Sequence, residues 1–231
     1  MMHFNKKKVL VAALAVCLIA ILSFSTLAWF TDSDDVTNQF HVATSDDQTP
    51  DDIFSVDVKE RIDTDGDGEY DTTVDVGDVP DGGYDYEDIY PSAELVKWPI
   101  VKNTGAYDQY VRVKVTVDNA KAWMDMLAKY QITDLTVIFK GYDDSKWIRV
   151  DAPAYDAAAD TITYTYYLDR VLTPEEEETL FTHVVIPYQL TQEDMAQFAN
   201  GMFTMDIVAE AVQADNTGAN AQEAFALVMG A

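Results

Sequence analysis

The sequence predicts an all-β domain, a jelly-roll-like antiparallel β-sandwich with a few short helices. Three observations predict it. Seven or more segments carry apolar residues at strand length, several in strict alternation. Only three short segments carry apolar residues at helical spacing. Turn-forming Asn, Asp, Gly and Pro separate the strands, without the regular strand–helix alternation of a parallel sheet. Strand spacing alone is equally compatible with an immunoglobulin-like sandwich.

The first 28 residues stand apart from this pattern. Lys6, Lys7 and Lys8 precede an uncharged apolar stretch of 16 residues, 9–24. Thr26 and Ala28 are small residues at the −3 and −1 positions of a cleavage site, the layout of a secretory signal peptide. A permanent transmembrane helix needs about 20 apolar residues. Extended to Phe30 the stretch just reaches that length, so retention as an anchor is the alternative to cleavage. Cys17 is the only cysteine. It follows Leu14, Ala15 and Val16, but Val16 is large for the position before a lipidated cysteine, so cleavage after Ala28 is the expectation. The mature chain then holds no disulfide, and its stability comes from packing, partners or bound ions.

Beyond residue 28 there are 12 basic and 41 acidic residues, a net charge of −29. Such a surface repels nucleic acid and anionic membrane, attracts cations and resists self-association at low salt. The expected organisation is signal peptide 1–28, flexible N-terminal arm 29–52, and sandwich domain 53–231 with an acidic loop insertion at 59–90.

Within the arm a short strand is allowed at 39–42, and 53–58 (IFSVDV) alternates as a strand. The insertion, rich in Asp, Gly and Tyr, is loop material compatible with short strands at 70–76. Strands follow at 94–101 and 110–117 (YVRVKVTV). In the second, Val111, Val113, Val115 and Val117 face one way and Tyr110, Arg112, Lys114 and Thr116 the other, which predicts a half-buried strand. Asp118 or Asn119 can cap a short helix bearing Ala120, Trp123, Met124 and Leu127. Further strands are expected at 135–139, 147–150, 161–168, 180–186 and 203–212. A short helix begins after Thr191, and a terminal helix over 218–229 carries Ala221, Ala224, Phe225 and Val228 on one stripe.

Motifs for catalysis are missing from the sequence. It contains no HExxH for zinc hydrolysis, no GxSxG for a serine nucleophile and no phosphate-cradling glycine loop. His3 lies in the signal, His41 in the polar arm, and His183 reads as a structural strand residue. The expectation is a protein that is not an enzyme. The sharpest local feature is DTDGDGEYD, in which Asp63, Asp65 and Asp67 occupy positions 1, 3 and 5 of a calcium loop. Gly68 takes the turn position and Asp71 falls at position 9. Hard oxygen ligands at this density suit Ca2+. Position 12 is Val74 instead of Glu, and no helix pattern flanks the loop. Two readings therefore stand: a weak Ca2+ site of Asp63, Asp65, Asp67 and Asp71, or a solvated acidic hairpin turn.

Several patches together resemble one known family. The signal ends Ser25-Thr26-Leu27-Ala28-Trp29-Phe30-Thr31-Asp32. Asn103-Thr104-Gly105 is followed by Tyr110-Val111-Arg112-Val113-Lys114-Val115. Tyr166-Tyr167-Leu168 leads to Val171-Leu172-Thr173-Pro174, and Ala209-Glu210-Ala211-Val212-Gln213-Ala214 precedes the terminal helix. In this order they resemble the TasA/camelysin family of exported biofilm-matrix proteins, and the patches span nearly the whole chain. The resemblance implies a dedicated signal peptidase, a jelly-roll sandwich, and extracellular fibres in which the N-terminal arm of one subunit completes the sheet of the next. It implies self-association into filaments and contact with other matrix or cell-surface proteins, with no stable membrane anchor after cleavage. The acidic insertion has no counterpart in the resemblance. Pro174 is followed by Glu175 to Glu178 where the family has Pro-Gly. The metallopeptidase activity described for camelysins is not carried over, because its zinc motifs are missing. The expected function is a structural fibre subunit, with a monomeric surface adhesion module as the alternative and a secreted hydrolase behind it.

Overall fold

The computed structural model describes residues 31–36, 55–63, 69–70, 72–75, 86, 89–198, 202–215 and 217–229. They form a β-rich domain of two mostly antiparallel sheets with a few short helices. One sheet contains β1 (Thr31–Val36), β12 (Met205–Gln213), β5 (Gln109–Asp118), β9 (Thr161–Leu168) and β7 (Trp147–Arg149), in that order, with β8 (Ala154–Asp156) also on β9. The other contains β3 (Thr72–Asp75), β2 (Val56–Ile62), β4 (Glu94–Asn103), β11 (His183–Val185) and β6 (Phe139–Lys140), with β10 (Glu177–Thr179) also on β4. Among the described residues neither sheet closes on itself, so the two-sheet antiparallel part of the expectation holds and its jelly-roll part has no support in the strand order.

The main core lies between the sheets. Val56, Val58 and Val101 of one meet Val111, Val113, Val115, Val117, Ile207, Ala209 and Ala211 of the other. The strict valine alternation of β5 explains its central place, because four branched side chains on one face fill a sandwich interior without polar atoms. Helix α1 (Ala120–Lys129) closes one end with the buried Trp123, packed against Phe198 and Phe203. The short helix α2 (Gln192–Met195) starts in a capping box, in which Thr191 accepts from the Asp194 amide and Asp194 accepts from the Thr191 amide. Lys129, the Tyr130 hydroxyl and Thr191 hold the Asp194 carboxyl well below the usual carboxylate range.

Several expectations need correction. The strand expected at 135–139 is a 3₁₀ turn, Leu135–Ile138, followed by the two-residue β6. The Asp134 side chain accepts from the Thr136 amide, which draws the chain into the turn before a strand can form. The strand expected at 180–186 narrows to β11, while β10 begins earlier; buried Leu180 and Phe181 fill the step between them. In the insertion, β3 falls within the stretch 70–76 where a short strand is expected, whereas the extension of β2 past Val58 is not expected. β2 runs on to Ile62, and β3 pairs with it from Lys59↔Asp75 to Ile62↔Thr72. Arg61 lies over the rings of Trp98 and Tyr70, and Glu60 makes a 2.8 Å ion pair with buried Lys97, so these two charged residues of the extension have partners that make it tolerable. β8 has no counterpart among the expected strands. The strand allowed at 39–42 lies outside the described residues.

Candidate assembly edge

At one side of its sheet, β12 is covered by β1, the strand formed within the segment read as the N-terminal arm. The alternation of β12 sorts two faces. Met205, Ile207, Ala209 and Ala211 are buried in the main core, and Glu210 and Val212 lie on the opposite face. β5 pairs with one side of β12 over its whole length, from Met205↔Val117 to Gln213↔Gln109. β1 pairs with the other side, from Thr31↔Val212 to Val36↔Ile207. It begins three residues after the expected cleavage position, within the segment read as an arm. No apolar period in TDSDDV announces it, which is why sequence reasoning missed it.

The face of β5 expected to be solvated is covered at its start. Helix α3 (Ala221–Met229) lays Ala221, Ala224 and Phe225 on Tyr110, Tyr167 and Val212, making a second, smaller core. Beneath it Arg112 is 7% exposed. Its Nε donates to Glu210 Oε2 at 2.5 Å, and its guanidinium lies 4.4 Å from the centre of the Phe225 ring. Lys114 Nζ donates to Glu210 Oε1 at 2.8 Å. Burial alone would raise the Glu210 pKa, but these two cations outweigh it and hold the carboxyl below its ordinary value. Arg112 stands opposite both Glu210 and Tyr167 in the register. Three of the sequence patches named above therefore converge on one buried cluster.

The Asn103 turn is stapled in a similar way. Asn103 Nδ2 donates to the carbonyls of Tyr107 and Leu172, each at 2.8 Å, and the Gly105 amide donates to Asn103 Oδ1 at 2.9 Å. Gln109 and Leu172 exchange both backbone hydrogen bonds. The turn at 102–105 and the turn after Leu172 thus form one unit at the end of the sandwich from which β1 starts.

The proposed calcium ligands are only partly placed. Asp63 follows the end of β2, and Asp65, Asp67 and Asp71 lie outside the described residues. Among the described residues no three His, Cys, Asp or Glu side chains converge to hold a metal. His183 sits in β11, with Nδ1 2.9 Å from Thr182 Oγ1 and Nε2 3.8 Å from Glu94. His41 and Cys17 lie outside the described residues, and no described helix is long and apolar enough to cross a membrane. A cleft of about 320 Å³ opens beside the start of α3, lined by Tyr110, Ile148, Tyr167 and Arg170 among others. Among the described residues its lining has no histidine, cysteine or serine, and Asp169 is the one carboxylate.

The arrangement therefore offers two things chemically: a strand edge that another strand covers through main-chain pairing, and a rigid support behind that edge. No protein-family model, no curated protein and no solved structure matches the chain.

Proposed function

We propose that the chain is exported, cleaved after Ala28 by a signal peptidase, and assembles as a structural subunit of extracellular fibres or cell-surface filaments on a jelly-roll-like sandwich. The observation that carries this reading is the pairing of β1 with the outer side of β12. A terminal strand held on an edge by backbone pairing can be exchanged for the same strand of a second copy, since the ladder is the same in both arrangements. The residues between β1 and β2, 37–55, provide the connection that such an exchange needs. A head-to-tail exchange does not close, so it propagates a filament. The net charge of −29 beyond residue 28 keeps copies apart at low ionic strength, and salt or Ca2+, bound at Asp63, Asp65, Asp67 and Asp71 or spread over the surface, relaxes the repulsion.

Electron microscopy of the mature chain across salt and calcium, beside a variant lacking residues 29–52, tests the proposal. Filaments from the mature chain and none from the folded truncated variant are the expected result. Monomers of the mature chain under every condition, or equal filaments from both proteins, overturn it.

A further inference from the structure

The register of β1 places its acids unevenly. Residues directly opposite in an antiparallel pair share a face of the sheet. Asp32, Asp34 and Val36 stand opposite Ala211, Ala209 and Ile207. Those three β12 residues are at most 2% exposed and belong to the main core. Thr31, Ser33 and Asp35 stand opposite Val212, Glu210 and Val208, on the other face. So two of the three core-side positions of β1 are aspartates. The neighbouring strands treat that face differently: β5 fills it with Val111, Val113, Val115 and Val117, and β9 with Ile162, Tyr164 and Tyr166.

Buried acids elsewhere in the domain have dedicated cations. Glu60 has Lys97, Glu178 has Lys146 and Arg170, and Glu210 has Arg112 and Lys114. Aspartate is also a poor strand former, and a charge at a core-side edge position forfeits the apolar burial that a valine contributes there.

We infer that Asp32 and Asp34 make β1 a deliberately weak cap, which covers the β12 edge but releases it readily to the β1 of a second copy. The consequence for filaments rests on the strand-donation reading. The weakness itself is a property of the single chain. Because a donated β1 makes the same ladder in its neighbour as at home, the aspartates leave the balance between the two arrangements nearly unchanged. They lower the barrier between them, since opening the home edge is the step both routes share. An apolar alternation in β1 would close the edge more firmly and trap the chain as a monomer.

Adjacent aspartates on opposite faces supply the test. Asp34→Val and Asp35→Val make the same chemical change and the same charge change, but only the first alters a core-side position. Amide hydrogen exchange is followed on the mature monomer at low ionic strength, reading the amides of residues 207–212. Asp34→Val is expected to slow exchange there by about tenfold, and Asp35→Val to leave it within about twofold of wild type. Asp32→Val, the other core-side position, is expected to follow Asp34→Val and serves if that variant does not fold. Equal slowing by Asp34→Val and Asp35→Val would assign the effect to charge or propensity and overturn the inference, as would unchanged exchange in Asp34→Val. Filament growth by the same proteins is scored separately. Slowed exchange without slowed growth leaves the weak cap standing and removes strand donation.

Discussion

Replacing Glu210 with alanine probes whether the cluster under α3 supports the β12 edge. The carboxylate is the shared partner of two cations, 2.5 Å from Arg112 Nε and 2.8 Å from Lys114 Nζ. The side chains are 8% exposed for Arg112, 12% for Glu210 and 34% for Lys114. Lys114 keeps access to water, so its loss of a partner costs little, about 0.5 kcal/mol. Arg112 does not. It would retain the Phe225 ring, the Tyr167 hydroxyl at 3.4 Å and Met229 Sδ at 3.3 Å, none of which neutralises its charge. Breaking a buried pair from one side costs about 3–5 kcal/mol, and these residual contacts put Glu210→Ala near the lower end, about 3 kcal/mol. With a urea m-value of about 2 kcal/mol/M, the unfolding midpoint should fall by roughly 1.5 M. The paired replacement Arg112→Met with Glu210→Leu removes both charges and keeps the volume. It should return to within about 1 kcal/mol of wild type. A midpoint shift under about 0.3 M for Glu210→Ala, or a paired variant less stable than the single one, would refute the reasoning.

Other perturbations read other parts of the structure. Burial tends to raise the pKa values of Glu210, Glu178 and Asp134, but their cationic and hydrogen-bonding partners prevail, and all three lie below their ordinary values. Groups lowered in the folded state contribute stability that is complete above the unfolded carboxylate pKa of about 4 and is lost as pH falls through the folded value. The urea midpoint should therefore be flat from about pH 7 to about pH 5.5 and decline steeply below about pH 4, with a shallower decline in Glu210→Ala. Asn103→Ala removes three hydrogen bonds that tie two turns together and should cost about 2–3 kcal/mol, seen as a lower melting temperature and faster proteolysis at residues 104–107. Calorimetric titration with CaCl2 should give heat from the mature chain that Asp65→Ala/Asp67→Ala lacks; equal heats would place calcium on the diffuse surface charge instead.

The parts of the fold that the sequence discloses are those where one face decides everything. Residues 161–168 alternate Ile162, Tyr164, Tyr166 and Leu168 against Thr161, Thr163, Thr165 and Tyr167, and β9 has those bounds. The β5 valines place that strand in the same way, as does the apolar stripe of α3. The reading fails where long-range pairing overrides local pattern. β1 is a strand because β12 offers an open edge, and nothing in TDSDDV reports a neighbour more than 170 positions away. The β5 face carrying Tyr110 and Arg112 reads as solvated because period two marks which residues share a face, not what covers it. The missing piece was α3, whose apolar stripe is visible but whose docking surface is not. In the same way, Arg112 and Glu210 each alternate with apolar residues in their own strand, and only the register reveals them as partners.

The charge distribution separates the forces that fold this chain from those that act between copies. The cations of the domain are committed to local partners, several of them buried, such as Lys97 with Glu60 and Arg112 with Glu210. Pairs of that kind are screened weakly by salt, whereas exposed ones such as Lys121 with Asp125 contribute little at any ionic strength. The excess of 29 negative charges beyond residue 28 has no such internal compensation and acts as a repulsive field within and between copies. Raising NaCl from about 0.01 M to about 1 M shortens the screening length from roughly 30 Å to roughly 3 Å. It removes repulsion while leaving the buried pairs nearly intact. The urea midpoint should therefore rise with salt, and association of copies should rise with it. A chain held together mainly by surface ion pairs would respond in the opposite direction, so a midpoint that falls with NaCl would show that the buried clusters are not what hold the two sheets together.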